Sequence, residues 1–251
     1  MTTAERYVNL AAFGLMILVN AMASLLPLNG RTTGEISELY PVLITPSGYV
    51  FAIWGLIYLL LAGFLAYTFL RPEDPRLNGF HYLFSLSCLL NSAWLFAWHW
   101  ENMSLALTIM LALLATLVFI YANVNYRNPW SLLAFWLLKL PFSIYLGWIS
   151  VATIVNASVT LYAAGWTGWG ISPPAWAAIM VLIATVLALL AVDLRNDRAF
   201  ALVIIWALTG VGARNSGNLF VAVVAWGAAV GLLVFLGWQI AGDNERRKVL
   251  R

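Results

Sequence analysis

Long uncharged apolar runs constrain the fold of this chain more than any other feature. Windows of about 20 apolar residues, enough for a helix to cross the hydrocarbon core of a bilayer, predict eight spans. They cover residues 7–28, 48–70, 79–100, 103–124, 130–156, 174–193, 199–213 and 217–241. The runs are continuous rather than alternating, which favours helices over paired strands. We therefore expect an all-α, polytopic helical membrane protein with about eight transmembrane helices.

The composition excludes several other classes of protein. Apolar residues make up 63% of the chain and charged residues 9%, whereas a soluble domain has about 45–50% and about 25%. The net charge of +3 is what Lys and Arg on cytoplasmic loops produce, so it does not indicate nucleic-acid binding. The single cysteine in the sequence, Cys88, forms no intrachain disulfide and no multi-thiolate metal site. We expect it to be a small core residue.

The placement of Lys and Arg tests the number of spans. With eight spans, ten basic residues fall on one side and only Arg31 and Arg214 on the other. The short seventh span, 199–213, is the weakest, but without it the tally becomes six against six, which favours a crossing. The positive-inside rule then places both termini in the cytoplasm and the loop 29–47 on the opposite side of the membrane. We expect this membrane to be the cell's inner membrane. We expect the first span to be a retained helix and not a cleaved signal peptide.

Few side chains here suggest catalysis or metal binding. No spacing matches a phosphate-binding loop, a nucleophile elbow, a zinc helix or a pair of catalytic carboxylates, so we expect no catalytic residue and no metal site. His81 and His99 lie about 27 Å apart along the third span and cannot share a ligand. Of the two, His99 is better placed for proton chemistry because Glu101 is close in sequence.

Lys139 is the one ionisable residue deep inside a predicted span. Intramembrane charges of this kind often have a function, and a proton-coupled transporter would rest on Lys139 alone. Pro141 has no backbone N–H, so carbonyl groups in the preceding turn lack a donor. These carbonyls could equally accept hydrogen bonds from the Lys139 ammonium, which would then have a purely structural role. The sequence leaves both interpretations open.

Aromatic and amide side chains form stripes on three of the predicted helices. Residues three or four apart share one helix face. The stripes are Phe51, Trp54 and Tyr58; Asn91, Trp94 and Trp98; and Tyr145, Trp148, Ala152 and Asn156. The predicted threading places all three in the outer half of the membrane, where they could enclose a flat apolar ligand. Ordinary helix packing also produces such stripes, and Lys139 lies about 180° round its helix from the third one.

Three motifs in these stripes resemble the TspO/MBR family, the tryptophan-rich sensory proteins related to the mitochondrial translocator protein. They are Trp54-Gly55-Leu56-Ile57-Tyr58 after Pro46, Leu90-Asn91-Ser92-Ala93-Trp94, and Tyr145-Leu146-Gly147-Trp148 through Ala152 to Asn156. The chain departs from the family pattern at four positions, which are Gly48 in place of a Trp and Leu95, Phe96 and Ile144 in place of prolines. The resemblance covers roughly residues 7–160 and implies a five-helix core, 1–160, followed by a three-helix extension, 161–251.

The resemblance also implies a function. Family members bind tetrapyrroles such as porphyrin or haem and act as sensors or transporters, with no required cofactor. Here the ligand site would comprise Trp54, Tyr58, Asn91, Trp94, Tyr145, Trp148, Ala152 and Asn156, with the loop 29–47 as its lid. The expected partners are the lipid bilayer, the small hydrophobic ligand, and a second copy of the chain or a membrane complex. Two alternatives stay open, namely an accessory or scaffold subunit of a larger membrane complex and a porphyrin-degrading enzyme, although no acid/base pair supports the enzyme.

Overall fold

A computed structural model describes residues 1–26, 28–80, 82–123 and 131–249. Within these ranges the chain forms nine α-helices and no strand. The helices are α1 (Thr3–Leu25), α2 (Thr33–Glu38), α3 (Ile53–Leu70), α4 (Leu83–His99), α5 (Met103–Asn123), α6 (Leu132–Ala163), α7 (Pro173–Arg195), α8 (Arg198–Arg214) and α9 (Leu219–Val249). Some residues used above lie outside this description, namely His81, Arg127, Arg251 and the side chains of Arg246, Arg247 and Lys248.

Among the described residues, six helical segments are long and apolar enough to cross a membrane. They are α1, Gly48–Leu70, α5, α6, α7 and the Leu219–Gly242 part of α9. The helices α4 and α8 have 17 residues each, at the lower end of the length range of transmembrane helices. They coincide with the third and seventh predicted spans. The prediction of an all-helical, multi-pass membrane protein is therefore confirmed.

Polar caps set helix starts that the apolar windows do not show. The α1 helix begins before the predicted span because Thr2 and Glu5 form a capping box, in which each side chain accepts a hydrogen bond from the other's backbone N–H. Thr32 and Glu35 form the same box at the start of α2, a short helix in the predicted lid loop. Because the residues of a capping box are polar, a span predicted from hydropathy leaves out the first turn of a helix that begins with such a box.

The long helix α6 contains a π-helical turn and extends beyond its predicted end at residue 156. The turn spans Phe135–Lys139, and the N–H of Leu140 donates to the carbonyl of Phe135. Pro141 follows directly and has no N–H to donate, which favours an altered hydrogen-bond pattern at this point. Near the other end, the hydroxyl of Thr160 donates to the carbonyl of Met103 at 3.0 Å. This hydrogen bond satisfies the Thr160 hydroxyl within the helix, which continues to Ala163.

The first compact unit comprises residues 1–42 and 51–167 and contains α1 to α6. In it α1 packs on α4, α4 on α5, α5 on α6, α6 on α3, and α3 on α1, which closes a ring of five helices. Four phenylalanines form a fully buried cluster with ring centroids 4.8–6.2 Å apart, namely Phe64, Phe80, Phe84 and Phe142. This cluster lies in the interior of the unit.

The second compact unit comprises residues 43–50 and 168–251, and in it α7, α8 and α9 pack on one another. Small residues allow these helices to approach closely, as in other membrane bundles. A Cβ at Gly212 would lie 2.3 Å from Nε1 of Trp226, so alanine does not fit there without a shift. The predicted division of the chain between residues 160 and 161 stays a prediction, because packing alone does not define a domain.

Candidate functional site

The structure brings aromatic residues of two predicted stripes together inside the first unit. The ring of Trp54 on α3 stacks on Tyr58 with a centroid distance of 5.5 Å. It also meets the rings of Tyr145 and Trp148 on α6 edge-on, at 6.1 Å and 6.2 Å. Phe51 adds a further edge contact to Trp148 at 5.7 Å. We call Phe51, Trp54, Tyr58, Tyr145 and Trp148 the aromatic cluster.

A chain of polar side chains joins four helices next to the aromatic cluster. The hydroxyl of Tyr58 donates to Oδ1 of Asn20 at 2.6 Å, and Nδ2 of Asn20 donates to Oδ1 of Asn91 at 2.8 Å. Nδ2 of Asn91 in turn donates to the hydroxyl of Tyr145 at 3.4 Å. Sequence reasoning missed Asn20, although an amide in the middle of an apolar span is a signal that could have found it.

The remaining predicted residues on α4 and α6 form a second contact. Nε1 of Trp94 donates to Oδ1 of Asn156 at 3.3 Å, and both side chains are buried. Trp94 also stacks on Trp98 at 5.5 Å. Ala152 is half-buried and lies on α6 between Trp148 and Asn156. The indole of Trp94 and the Asn156 oxygen are therefore already paired within the protein.

Trp148 differs from Trp94 in its hydrogen bonding. Its side chain is only 2% exposed, and Nε1 has no acceptor among the described residues. A buried donor without an acceptor costs about 1–3 kcal/mol. The aromatic cluster thus contains one N–H group that a bound acceptor would satisfy.

Burial differs across the cluster. Tyr145 is fully buried, at 0% exposure, as is its hydrogen-bond partner Asn91 on α4, at 1%. Trp54 and Tyr58, in contrast, are half-buried. The cluster therefore has a closed side near α4 and α6 and a more accessible side on α3.

Residues 29–40 of the predicted lid loop are attached to the end of α4. Nδ2 of Asn29 donates to the carbonyl of His99 at 2.9 Å, and Nε1 of Trp98 donates to the carbonyl of Thr33 at 3.2 Å. Glu101 forms an ion pair with Arg31 at 2.8 Å. Its other carboxylate oxygen accepts a hydrogen bond from Tyr40 at 3.3 Å, and burial together with the nearby Glu101 charge raises the pKa of Tyr40.

His99 is buried at 1% exposure. Its Nδ1 lies 2.9 Å from the carbonyl of Leu95, which can only accept, so Nδ1 carries the proton. Nε2 has no hydrogen-bond partner among the described residues. The expected use of His99 with Glu101 in proton chemistry stays a prediction, and the carboxylate is engaged by Arg31 and Tyr40.

Lys139 lies beside Phe135 on α6. It ends the π-helical turn of α6 and is half-buried, with Nζ 5.9 Å from the ring centroid of Phe135. Cys88 is a buried free thiol. In the described part of the chain, no group of three or more His, Cys, Asp or Glu side chains could hold a metal ion.

Comparison with known proteins identifies the family. The model of one family, described as TSPO-like protein, matches residues 6–238. The match includes all three motifs and continues through α7 and α8 into α9, well beyond the region of the motif resemblance. No curated protein and no solved structure matches the chain. A match over nearly the whole length establishes the relationship, and the chain belongs to the TSPO-like protein family.

Proposed function

We propose that this chain binds a planar, largely apolar ligand of the tetrapyrrole class at the aromatic cluster and acts as a sensor or transporter. The observation that carries the proposal is the buried N–H of Trp148, which has no acceptor among the described residues. A carbonyl, carboxylate or ring nitrogen of a ligand would accept this hydrogen bond. The aromatic rings around it would pack against a flat apolar surface.

The burial pattern supports contact from the α3 side. Trp54 and Tyr58 are half-buried, so part of each ring is free to meet a ligand. The amides of Asn20 and Asn91 already have partners in the polar chain. They would hold the aromatic residues in place, and the indole of Trp148 would orient the ligand.

The other parts of the proposal follow from the predicted threading and from the loop. The site would lie in the outer half of the cell's inner membrane, and both termini would lie in the cytoplasm. The loop bearing Asn29, Arg31 and Tyr40 would cover the site, and its bonds to the end of α4 support this role. We propose binding without catalysis and without a required cofactor, so illumination of the bound porphyrin should yield no protein-dependent product.

The test is an absorbance titration of protoporphyrin IX with the purified protein in detergent. Trp148→Phe keeps an aromatic ring and removes the N–H donor. We expect the wild type to bind saturably, and Trp148→Phe to bind about tenfold more weakly, which corresponds to about 1.4 kcal/mol. That magnitude is typical for one hydrogen bond in a dry site.

Trp238→Phe is the matched control because Trp238 is 70% exposed on α9 and is not part of the aromatic cluster. It should bind like the wild type. Non-saturable binding, or equal affinity of Trp148→Phe and wild type, would show that the cluster is only helix packing. Recovery of a stable heteromeric assembly would then favour the alternative of an accessory or scaffold subunit.

A further inference from the structure

The start of α1 and the end of α3 meet at one end of the first unit. The rings of Tyr7 and Phe69 contact each other edge-on with a centroid distance of 5.8 Å. The guanidinium carbon of Arg6 lies 5.5 Å from the centroid of the same Phe69 ring, within the range of a cation–π interaction. Arg71, the C-cap of α3, follows two residues later. We call Arg6, Tyr7, Phe69 and Arg71 the arginine patch.

The two arginines of the patch have no carboxylate partner among the described residues. The ion pairs found there involve Arg31 and Arg76. Nη2 of Arg6 instead donates to the hydroxyl of Thr3 at 2.9 Å, and its Nε is buried without a hydrogen-bond partner in this part of the chain. The positive charge of Arg6 is therefore met by an aromatic ring and a neutral hydroxyl.

Three carboxylates lie close to the patch in sequence. Glu5 is buried and accepts a hydrogen bond from the backbone N–H of Thr2 at 2.6 Å. Asp74 is neutralised by Arg76, whose Nη2 lies 2.8 Å from its carboxylate. Glu73 is exposed and forms no ion pair with a described residue. The arginines of the patch are therefore available to an anion that does not belong to the chain.

The position of the patch suits a phospholipid. The helix α1 and the Gly48–Leu70 segment that includes α3 are each long and apolar enough to cross a membrane. The end that they share would then lie near the boundary between acyl chains and headgroups. Tyr7, Val8 and Leu70, next to the arginines in sequence, are exposed. Arginine and tyrosine at such a boundary place their apolar parts against acyl chains and their polar ends among headgroups.

We propose that the arginine patch binds the headgroup of an anionic phospholipid. The guanidinium groups of Arg6 and Arg71 would donate to its phosphate oxygens, a pairing that the forked donors of arginine favour. Phe69 would hold Arg6 in position, since the guanidinium already lies over its ring. Two positive charges without a described carboxylate partner favour a headgroup with a net negative charge over a zwitterionic one. None of these residues belongs to the aromatic cluster, and this proposal does not rest on the proposed function.

The test is native mass spectrometry of the full chain, delipidated in detergent and titrated with dioleoylphosphatidylglycerol or dioleoylphosphatidylcholine. We expect the first phosphatidylglycerol to bind the wild type about tenfold more tightly, or more, than the first phosphatidylcholine. Each arginine beside an anionic headgroup contributes roughly fivefold in affinity. Arg6→Gln and Arg71→Gln should therefore each weaken phosphatidylglycerol binding about fivefold, and the double variant about 25-fold.

Two further variants separate a built site from the effect of net charge. Arg214→Gln is the matched control, because Arg214 is an exposed arginine at the end of α8 and does not belong to the patch. It should bind phosphatidylglycerol like the wild type. Phe69→Leu keeps both charges but removes the ring under Arg6, so it should weaken binding about two- to fivefold.

Several results would overturn the proposal. Equal affinity of the wild type for the two lipids overturns it, as does unchanged phosphatidylglycerol binding in the double variant. An equal loss in Arg214→Gln, or wild-type affinity in Phe69→Leu, overturns it too, since either result indicates a general effect of charge. Displacement of the lipid by excess inorganic phosphate also does so, because the arginines would then bind a soluble anion. If the double variant does not fold, the single variants and Phe69→Leu are judged by the same criteria.

Discussion

Replacing Asn20 with leucine should destabilise the first unit by removing a bridge between helices. Oδ1 of Asn20 accepts a hydrogen bond from Tyr58 at 2.6 Å, and its Nδ2 donates to Asn91 at 2.8 Å. Leucine has a similar volume but neither donates nor accepts. Tyr58 and Asn91 would each lose a partner, and the polar chain that joins α1 to α3 and α4 would be broken at Asn20.

The expected magnitude follows from the two interhelical bonds. Hydrogen bonds between membrane helices contribute on average about 0.6 kcal/mol each, and about 1.7 kcal/mol at most. Two of them therefore account for about 1–3 kcal/mol. Because Asn91 is only 1% exposed, water does not replace its lost partner. We expect Asn20→Leu to lower the free energy of unfolding by about 2 kcal/mol.

The assay is SDS-induced unfolding in detergent micelles, followed by circular dichroism. Ser24→Ala is the matched control, since Ser24 is exposed and its hydroxyl donates to the backbone carbonyl of Asn20 on the same helix at 2.9 Å. It should change stability by less than about 0.5 kcal/mol. Asn91→Leu combined with Asn20→Leu should cost less than the sum of the single changes, because they share one bond. Equal stability of Asn20→Leu and Ser24→Ala, or strict additivity, would refute the reasoning.

Two further predictions concern packing and pH. Gly212→Ala should lower the free energy of unfolding by about 1–2 kcal/mol, because its Cβ would lie 2.3 Å from Nε1 of Trp226. Gly227→Ala should not, because a Cβ at Gly227 meets nothing within 4 Å. Equal unfolding curves for the two variants would contradict this prediction. Burial raises the pKa of Asp74, but hydrogen bonds from Arg76 and Tyr67 lower it more than burial raises it. The pKa of Asp74 therefore lies below its ordinary value. The carboxylate therefore stabilises the fold above a pH of about 4, and this contribution is lost as the pH falls further. Between pH 6 and pH 3 the free energy of unfolding should fall more in the wild type than in Asp74→Asn, and an identical pH dependence would contradict the assignment.

The positions of the helices could be predicted well because span length is a local property. Each predicted span contains or overlaps one of the eight longer helices, from α1 at Thr3–Leu25 to α9 at Leu219–Val249. Two of the boundaries that differ involve polar groups. The capping box of Thr2 and Glu5 starts α1 early, and the hydroxyl of Thr160, paired with a carbonyl of α5, lies in the part of α6 beyond its predicted end.

The candidate site could be predicted only in part. Helical spacing placed Trp54 and Tyr58 on one face and Tyr145 and Trp148 on another, and the structure brings these faces into contact. Spacing could not show that Trp94 has an acceptor in Asn156 while Trp148 has none. Nor could it find Asn20, because a single amide in an apolar run does not reveal its partners.

The amino-acid sequence alone is enough to identify the chain as a multi-pass helical membrane protein of the TSPO-like family. Hydrocarbon thickness and the need to satisfy backbone hydrogen bonds act on each span separately, so both can be inferred from local composition. Only the three-dimensional structure shows the closed ring of five helices, the pairing of Asn20 with Asn91, and the hydrogen bond from Ser47 to the carbonyl of Gly210. These contacts join residues far apart in the chain, and helices that are apolar on nearly every face do not encode which face turns inward.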